Sequence, residues 1–346
     1  MQLYILDSTR SLSGLVESFE YLRWTRRYFS CGSFELKAIA TPENVALLKT
    51  GNYLWKNDDG ECGVIERLEM TMADREIITV GGRFATSILA RRILWTSEVL
   101  NGNAGACIQT IMNRHVISPT DNNRRISYID YLNSAPVMNI QTQASYKNLL
   151  TVIFEICETL DAGLRTIYNP ATKRFTVEFY KAGASQAVFS KEYENITEQV
   201  YMESMADTAN TALIGGEGEG PARQFVSIIN GTGENRREIF VDAKDLRADD
   251  FPGAYPAALN FRGQGKLAEL APVQSFDASV NPHGNLKYKT DYDLGQTVKV
   301  ISKKLGVTLN ARITEVEESY DATGQSLNIV FGKGVLTLFQ KLKGAM

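Results

Sequence analysis

Histidine is scarce in this chain, with only two in 346 residues. His115 and His283 lie far apart, in no His-x-x-x-His or His-Glu arrangement. A metal or acid–base site needs converging partners that this pattern does not supply, so no metal and no cofactor is expected. The four cysteines, Cys31, Cys62, Cys107 and Cys157, form no Cys-x-x-Cys pair. They read as isolated buried thiols, not as a zinc site or a disulfide framework. Positive charge is not in excess: 37 Lys and Arg against 40 Asp and Glu leave a net charge of −3. No basic field exists to hold nucleic acid by counterion release. No apolar run approaches the roughly 18 residues of a membrane span, so no membrane anchor is expected. The start, Met1-Gln2-Leu3-Tyr4-Ile5-Leu6-Asp7, lacks the basic-then-apolar order of a signal peptide, which points to synthesis in the cytoplasm. With 27 Gly and 9 Pro, neither a collagen-like nor a low-complexity chain fits.

What is present is the material for a core: 44% hydrophobic and 22% charged residues. The length suits two or three domains at about 150 residues each. Over the first hundred residues, short apolar or alternating stretches predict antiparallel strands: Leu3–Leu6, Phe19–Trp24, Gly32–Ala38, Asn52–Trp55, Gly63–Leu68 and Glu76–Val80. Turn residues such as Asn57-Asp58-Asp59-Gly60 separate them, the pattern of a barrel or sandwich. The period becomes helical over 83–95, after Gly81-Gly82, and again over 105–117. The clearest helix runs from about Tyr146 to Leu160, with Ser145 as its candidate N-cap and an end near Asp161-Ala162-Gly163. A hairpin follows, Leu164–Tyr168 and Arg174–Tyr180 around Asn169-Pro170-Ala171-Thr172. Strands return at Thr211–Ile214 and Phe225–Ile229, a helical stretch spans 243–275, and 285–339 reads as β.

Two β segments echo each other. The first runs Gly51-Asn52-Tyr53-Leu54-Trp55, Gly63-Val64-Ile65-Glu66-Arg67-Leu68-Glu69 and Ile77–Gly82. The second runs Gly295-Gln296-Thr297-Val298-Lys299, Ala311-Arg312-Ile313-Thr314-Glu315-Val316-Glu317 and Leu327–Gly332. A duplication would give the chain two barrels of similar design, and three copies would present six in a ring.

No constellation of catalytic residues emerges. Gly215-Gly216-Glu217-Gly218-Glu219-Gly220 is the loudest local signal, yet it lacks the Gly-Lys-Ser/Thr of a phosphate loop and carries two carboxylates that would repel phosphate. It reads as a hairpin tip or a subunit contact. Asp291 and Asp293 suit a polar turn, no Gly-x-Ser-x-Gly elbow occurs, and Arg91-Arg92 and Arg124-Arg125 are isolated basic pairs.

Trp24-Thr25-Arg26-Arg27-Tyr28, Cys31-Gly32-Ser33-Phe34-Glu35-Leu36, Gly63-Val64-Ile65-Glu66 and Gly81-Gly82-Arg83 resemble the N-terminal half of the siphovirus-type phage tail or baseplate hub family. Gly216–Gly220, Arg237–Asp242, Tyr292-Asp293-Leu294-Gly295 and Arg312–Val316 resemble its C-terminal half. The resemblance spans nearly the whole chain and is similar to the trimeric hub of contractile tails. It implies a mainly β, α+β fold: two antiparallel β-barrels, a small α+β domain and a helical insertion. The expected domains are a first barrel over 1–98, the α+β domain over 99–195, a second barrel over 196–242 and 285–346, and the insertion over 243–284. It implies a structural virion protein, not an enzyme, forming a homotrimeric pseudo-hexameric ring at the tail tip. Its partners would be the tail tube or distal tail protein, the tape measure protein and a tip, spike or tail-fibre protein, with DNA passing without specific binding. Some relatives carry a C-terminal hydrolase or host-binding domain, which this chain is expected to lack. The expected subunit contacts are Gly216, Glu217, Gly218, Glu219, Gly220 and the strands around Phe34 and Val298. The alternatives are a host-receptor or cell-wall-binding tip protein, a carbohydrate-acting hydrolase, and the hub of a phage-derived bacteriocin.

Overall fold

Short strands with alternating burial build the N-terminal region because each can bury only one face. The computed structural model describes residues 1–332. It begins with β1 (Leu3–Leu6), β2 (Leu12–Val16), β3 (Tyr21–Arg27), β4 (Ser33–Ile39), a short helix α1 (Pro42–Leu47), β5 (Tyr53–Lys56), β6 (Cys62–Val64), β7 (Arg67–Met72) and β8 (Glu76–Arg83). A small sheet, β2-β1-β5-β6, faces the run β3-β4-β8-β7, which is part of a much larger sheet. Leu3, Ile5, Trp24, Phe34, Leu36, Leu54, Val80 and Phe84 fill the space between them. The two layers meet at a corner, where the chain bends between β6 and β7. Gly82 makes that corner possible: a Cβ there would lie 1.9 Å from the Val64 carbonyl oxygen.

The α+β region follows: β9 (Ser97–Asn103), α2 (Ala104–Met112), β10 (Ile129–Asn133), β11 (Asn139–Ser145), α3 (Leu149–Leu160), β12 (Gly163–Asn169) and β13 (Arg174–Tyr180). The expected hairpin is β12–β13, with β10 added parallel to β13. α3 starts later than the sequence suggested. Asn148, not Ser145, caps it, its side chain accepting from the Leu150 and Thr151 amides, while Ser145 closes β11. Asp161 ends the helix in the left-handed conformation (φ 52°). Leu149, Ile153 and Ile156 pack with Ile108, Ile111, Phe175 and Phe179.

The remainder holds β14 (Ala184–Ser190), β15 (Ile196–Ser204), β16 (Thr211–Gly215), β17 (Phe225–Ile229), β18 (Glu238–Asp242), α4 (Tyr255–Glu269), β19 (Val273–Val280), β20 (Thr297–Ser302), β21 (Val307–Asp321) and β22 (Gly324–Gly332). The large sheet runs β15-β19-β22-β21-β3-β4-β8-β7, with β20 on β21 and β14 parallel to β20. The fold is therefore mainly β, of α+β class, as expected.

Three expectations need correction. First, no sheet closes into a barrel among the described residues. The strands β3 and β21 pair with each other, from Glu315↔Arg27 to Tyr320↔Leu22. The two modules are thus open and fused edge to edge. Second, β16, β17 and β18, expected in the second barrel, form their own sheet. Their apolar side packs on α4 through Ala212, Ile214, Val241, Ala258 and Leu259. Third, β19, placed within the helical insertion, is a strand of the large sheet. Residues 333–346 of the expected second barrel lie outside the described residues.

Candidate assembly interface

The duplication appears in the backbone hydrogen bonds. Gly51 (φ 90°) donates to the Ile65 carbonyl, and Ile65 donates to Asn52. Gly295 (φ 84°) donates to the Ile313 carbonyl, and Ile313 donates to Gln296. From this anchor the strands correspond in order: β5 with β20, the bent β6–β7 segment with β21, β8 with β22, β4 with β19 and β3 with β15. The sequence echo aligned Gly51 with Gly295 and Ile65 with Ile313, as the backbone does. Its third segment slips by one residue: the register pairs Arg67 with Gly81 and Glu315 with Val330, so Gly81 corresponds to Val330. The large sheet is therefore two four-stranded runs in the same order, joined head to tail.

The internal join between β21 and β3 is held by buried charge. Arg26 donates from Nε to Glu61 (2.9 Å) and from Nη1 to Asp293 and the Tyr288 hydroxyl (2.8 Å each). Lys56, wholly buried, donates to both oxygens of Glu318 at 2.8 and 2.9 Å. Lys289 reaches Asp59 at 3.3 Å, and the Trp24 indole donates to the same carboxylate. Burial, aided by Asp59 and opposed by Arg26, pushes Glu61 up to about 7. Asp59 is lowered: burial works against its charge, and Arg26 and Lys289 outweigh burial. A pair of perturbed acids in a deep pocket would favour a hydrolase. These two acids face Arg26 inside the protein, where all three side chains are buried.

The outer ends of the large sheet are different. β7 and β15 each have one free edge among the described residues. On β7, Leu68, Met70 and Met72 are exposed, and on β15 so are Val200 and Met202. Over β3, β4, β7 and β21 the sheet's outer face is polar with alternating charge, while Val200 and Met202 lie on the same face of β15. Arg27 pairs with Glu315 at 2.6 Å, Arg67 with Glu35 at 3.2 Å, Arg23 with Glu35 at 3.7 Å, and Thr25 donates to Glu317.

The residues singled out from sequence fall in three places. Phe34 on β4 and Val298 on β20 are buried in the cores of this chain, and both strands are paired on each side. Gly216–Gly220 lies in the small domain that β16, β17, β18 and α4 form between β15 and β19, where the Tyr255 hydroxyl accepts from the Glu217 amide and Glu217 accepts from the Ala248 amide. The free edges β7 and β15 were not singled out. The alternation Leu68-Glu69-Met70-Thr71-Met72 was the available signal.

Residues 2–333 match the family described as Siphovirus ReqiPepy6 Gp37-like protein. No curated protein matches the chain. Among solved structures, a prophage tail protein gp18 from Listeria monocytogenes is 14% identical with a TM-score of 0.63, over 99% of this chain and 98% of that one. A tail protein from Neisseria meningitidis is 11% identical with a TM-score of 0.62, over 96% of each chain. A chain of the Francisella PdpA–VgrG complex is 8% identical with a TM-score of 0.53, over 97% of this chain and 58% of that one. At these identities the shared property is the fold.

Proposed function

The chain belongs to the Siphovirus ReqiPepy6 Gp37-like family of phage tail proteins, and from that premise we propose that it is a non-enzymatic hub of the tail tip. Three copies form a ring of six modules that continues the tail tube, seats the tip or spike, and leaves a channel for DNA. The observation that carries this reading is the pair of unpaired edges on β7 and β15 at opposite ends of a head-to-tail repeat, with Leu68, Met70 and Met72 exposed on the core side of β7 and Val200 and Met202 on the outer face of β15. Long apolar edges are an aggregation hazard unless another strand covers them. A head-to-tail contact that closes on itself makes a ring. In that ring the outer polar face of the sheet lines the channel, and its paired carboxylates and arginines leave little net charge to grip phosphate. The tail tube or distal tail protein, the tape measure protein and the tip protein are the proposed neighbours.

The test is assembled mass with negative-stain microscopy of the purified chain. A threefold ring with a central hole is expected, and a monomer at every concentration would refute the proposal. One observation favours a second reading. Leu213, Phe225, Ile229 and Phe240 are exposed on the face of the small sheet turned away from α4, with the Arg223 guanidinium 5.6 and 5.3 Å from the two phenyl rings. Such a face suits a host-wall or receptor contact. Binding of purified cell walls, lost in Phe225→Ser with Phe240→Ser, would support it.

A further inference from the structure

The within-chain junction predicts the register and chemistry of the between-chain one, if the ring reading holds. Glu315 on β21 faces Arg27 on β3. By the repeat, Arg67 on β7 corresponds to Glu315, and Ser204 on β15 corresponds to Arg27. Carrying the pairing across sets Leu68 opposite Glu203, Met70 opposite Tyr201 and Met72 opposite Gln199 of the neighbouring copy. The side chains that matter are those on the core side of the sheet. Within the chain, Glu318 sits opposite Trp24 and is held by Lys56. Met70 corresponds to Glu318, and Val300 corresponds to Lys56. Val300 is fully buried in the second core, against which Tyr201 packs.

We infer that, at the position of the Lys56–Glu318 pair, the between-chain junction is the apolar counterpart of the ionic within-chain one, with Met70 of one copy seated beside Tyr201 and over Val300 of the next. This makes the two junctions incompatible. A β21 edge placed on β15 of another copy would bury Glu318 against Val300 in place of Lys56, with only the distant Lys289 as cation. A β7 edge placed on β3 would take Glu318 from Lys56 and leave it only the half-exposed Asp58. A buried charge stripped of its closest partner is costly in either case, so the modules close only in alternation.

The experiment uses the full chain. Met70 is solvent-exposed in the single chain, so Met70→Glu leaves its folding intact. The variant is expected to raise the concentration needed for half-assembly at least tenfold, and Met70→Leu is expected to leave it unchanged. A chain carrying Met70→Cys and Tyr201→Cys is expected to give an interchain disulfide ladder under oxidation, and one carrying Thr71→Cys and Tyr201→Cys is not, because the slip turns one side chain to the other face. Unchanged assembly of Met70→Glu, or a trimer in which the 70/201 pair fails to link, overturns this inference and leaves the ring standing. An unmodified chain that never assembles overturns the ring itself.

Discussion

Lys56 and Glu318 offer a test of what joins the two modules. The ammonium is wholly buried, Glu318 is nearly so, and the pair bonds at 2.8 and 2.9 Å. Removing one partner of such a pair strands the other charge, at a typical cost of about 3–5 kcal/mol. Glu318 would retain the Tyr320 hydroxyl and a distant Lys289 at 3.8 Å, which places Lys56→Val toward the lower figure. About 3 kcal/mol corresponds to roughly a 150-fold loss in the folding equilibrium. Glu318→Met leaves Lys56 with Asp58 at 3.2 Å as its remaining carboxylate and is likewise expected at the lower end of that range. The double change installs the valine and methionine that the repeat carries at Val300 and Met70, and should come within about 1 kcal/mol of the unmodified chain. Urea unfolding followed by tryptophan fluorescence reads the effect, with Trp24, one of three tryptophans, bonded to the same cluster through Asp59. Single changes costing under about 1 kcal/mol, or a double change costing the sum, would refute the idea that buried charge locks this junction.

Glu61 predicts a pH dependence. Its acidity in the folded chain is weakened to about 7. The stability it contributes is therefore complete below its ordinary value and is lost as pH rises through 7. Glu61→Gln should flatten the decline in urea midpoint between pH 5 and 7.5, and a gap between variant and parent that ignores pH would argue against this. Gly82→Ala puts a Cβ 1.9 Å from the Val64 carbonyl and 2.9 Å from the Glu66 amide nitrogen, where backbone must move. A loss of at least about 2 kcal/mol is expected in the same assay, and a neutral result would mean the corner is not closely packed.

Several features were legible because they depend on local pattern. The β12–β13 hairpin announced itself through Asn169-Pro170, and α3 through its apolar stripe. The echo was visible because the left-handed turn at Gly51 and Gly295 requires the same residue twice. Other features depended on which edges meet. Nothing in the alternation of Tyr21–Arg27 reveals that β3 pairs with a strand almost three hundred residues later. Lys56 and Glu318 look like surface residues in the sequence, and only the fusion of the modules buries them. β19 was missed because it follows α4 directly and pairs with strands on either side of the small domain. The open edges were missed for the same reason: an edge is defined by a missing neighbour.

The small domain occupies a telling position. β3 and β4 are joined by the five residues Tyr28–Gly32, while their counterparts β15 and β19 are joined by residues 205–272. A hairpin tip tolerates lengthening because the flanking ladder does not depend on what the connection holds. The chain thus has a socket at one tip and a plain turn at the other. Whatever occupies the socket can be exchanged by recombination or by a designer without resetting the frame that carries it.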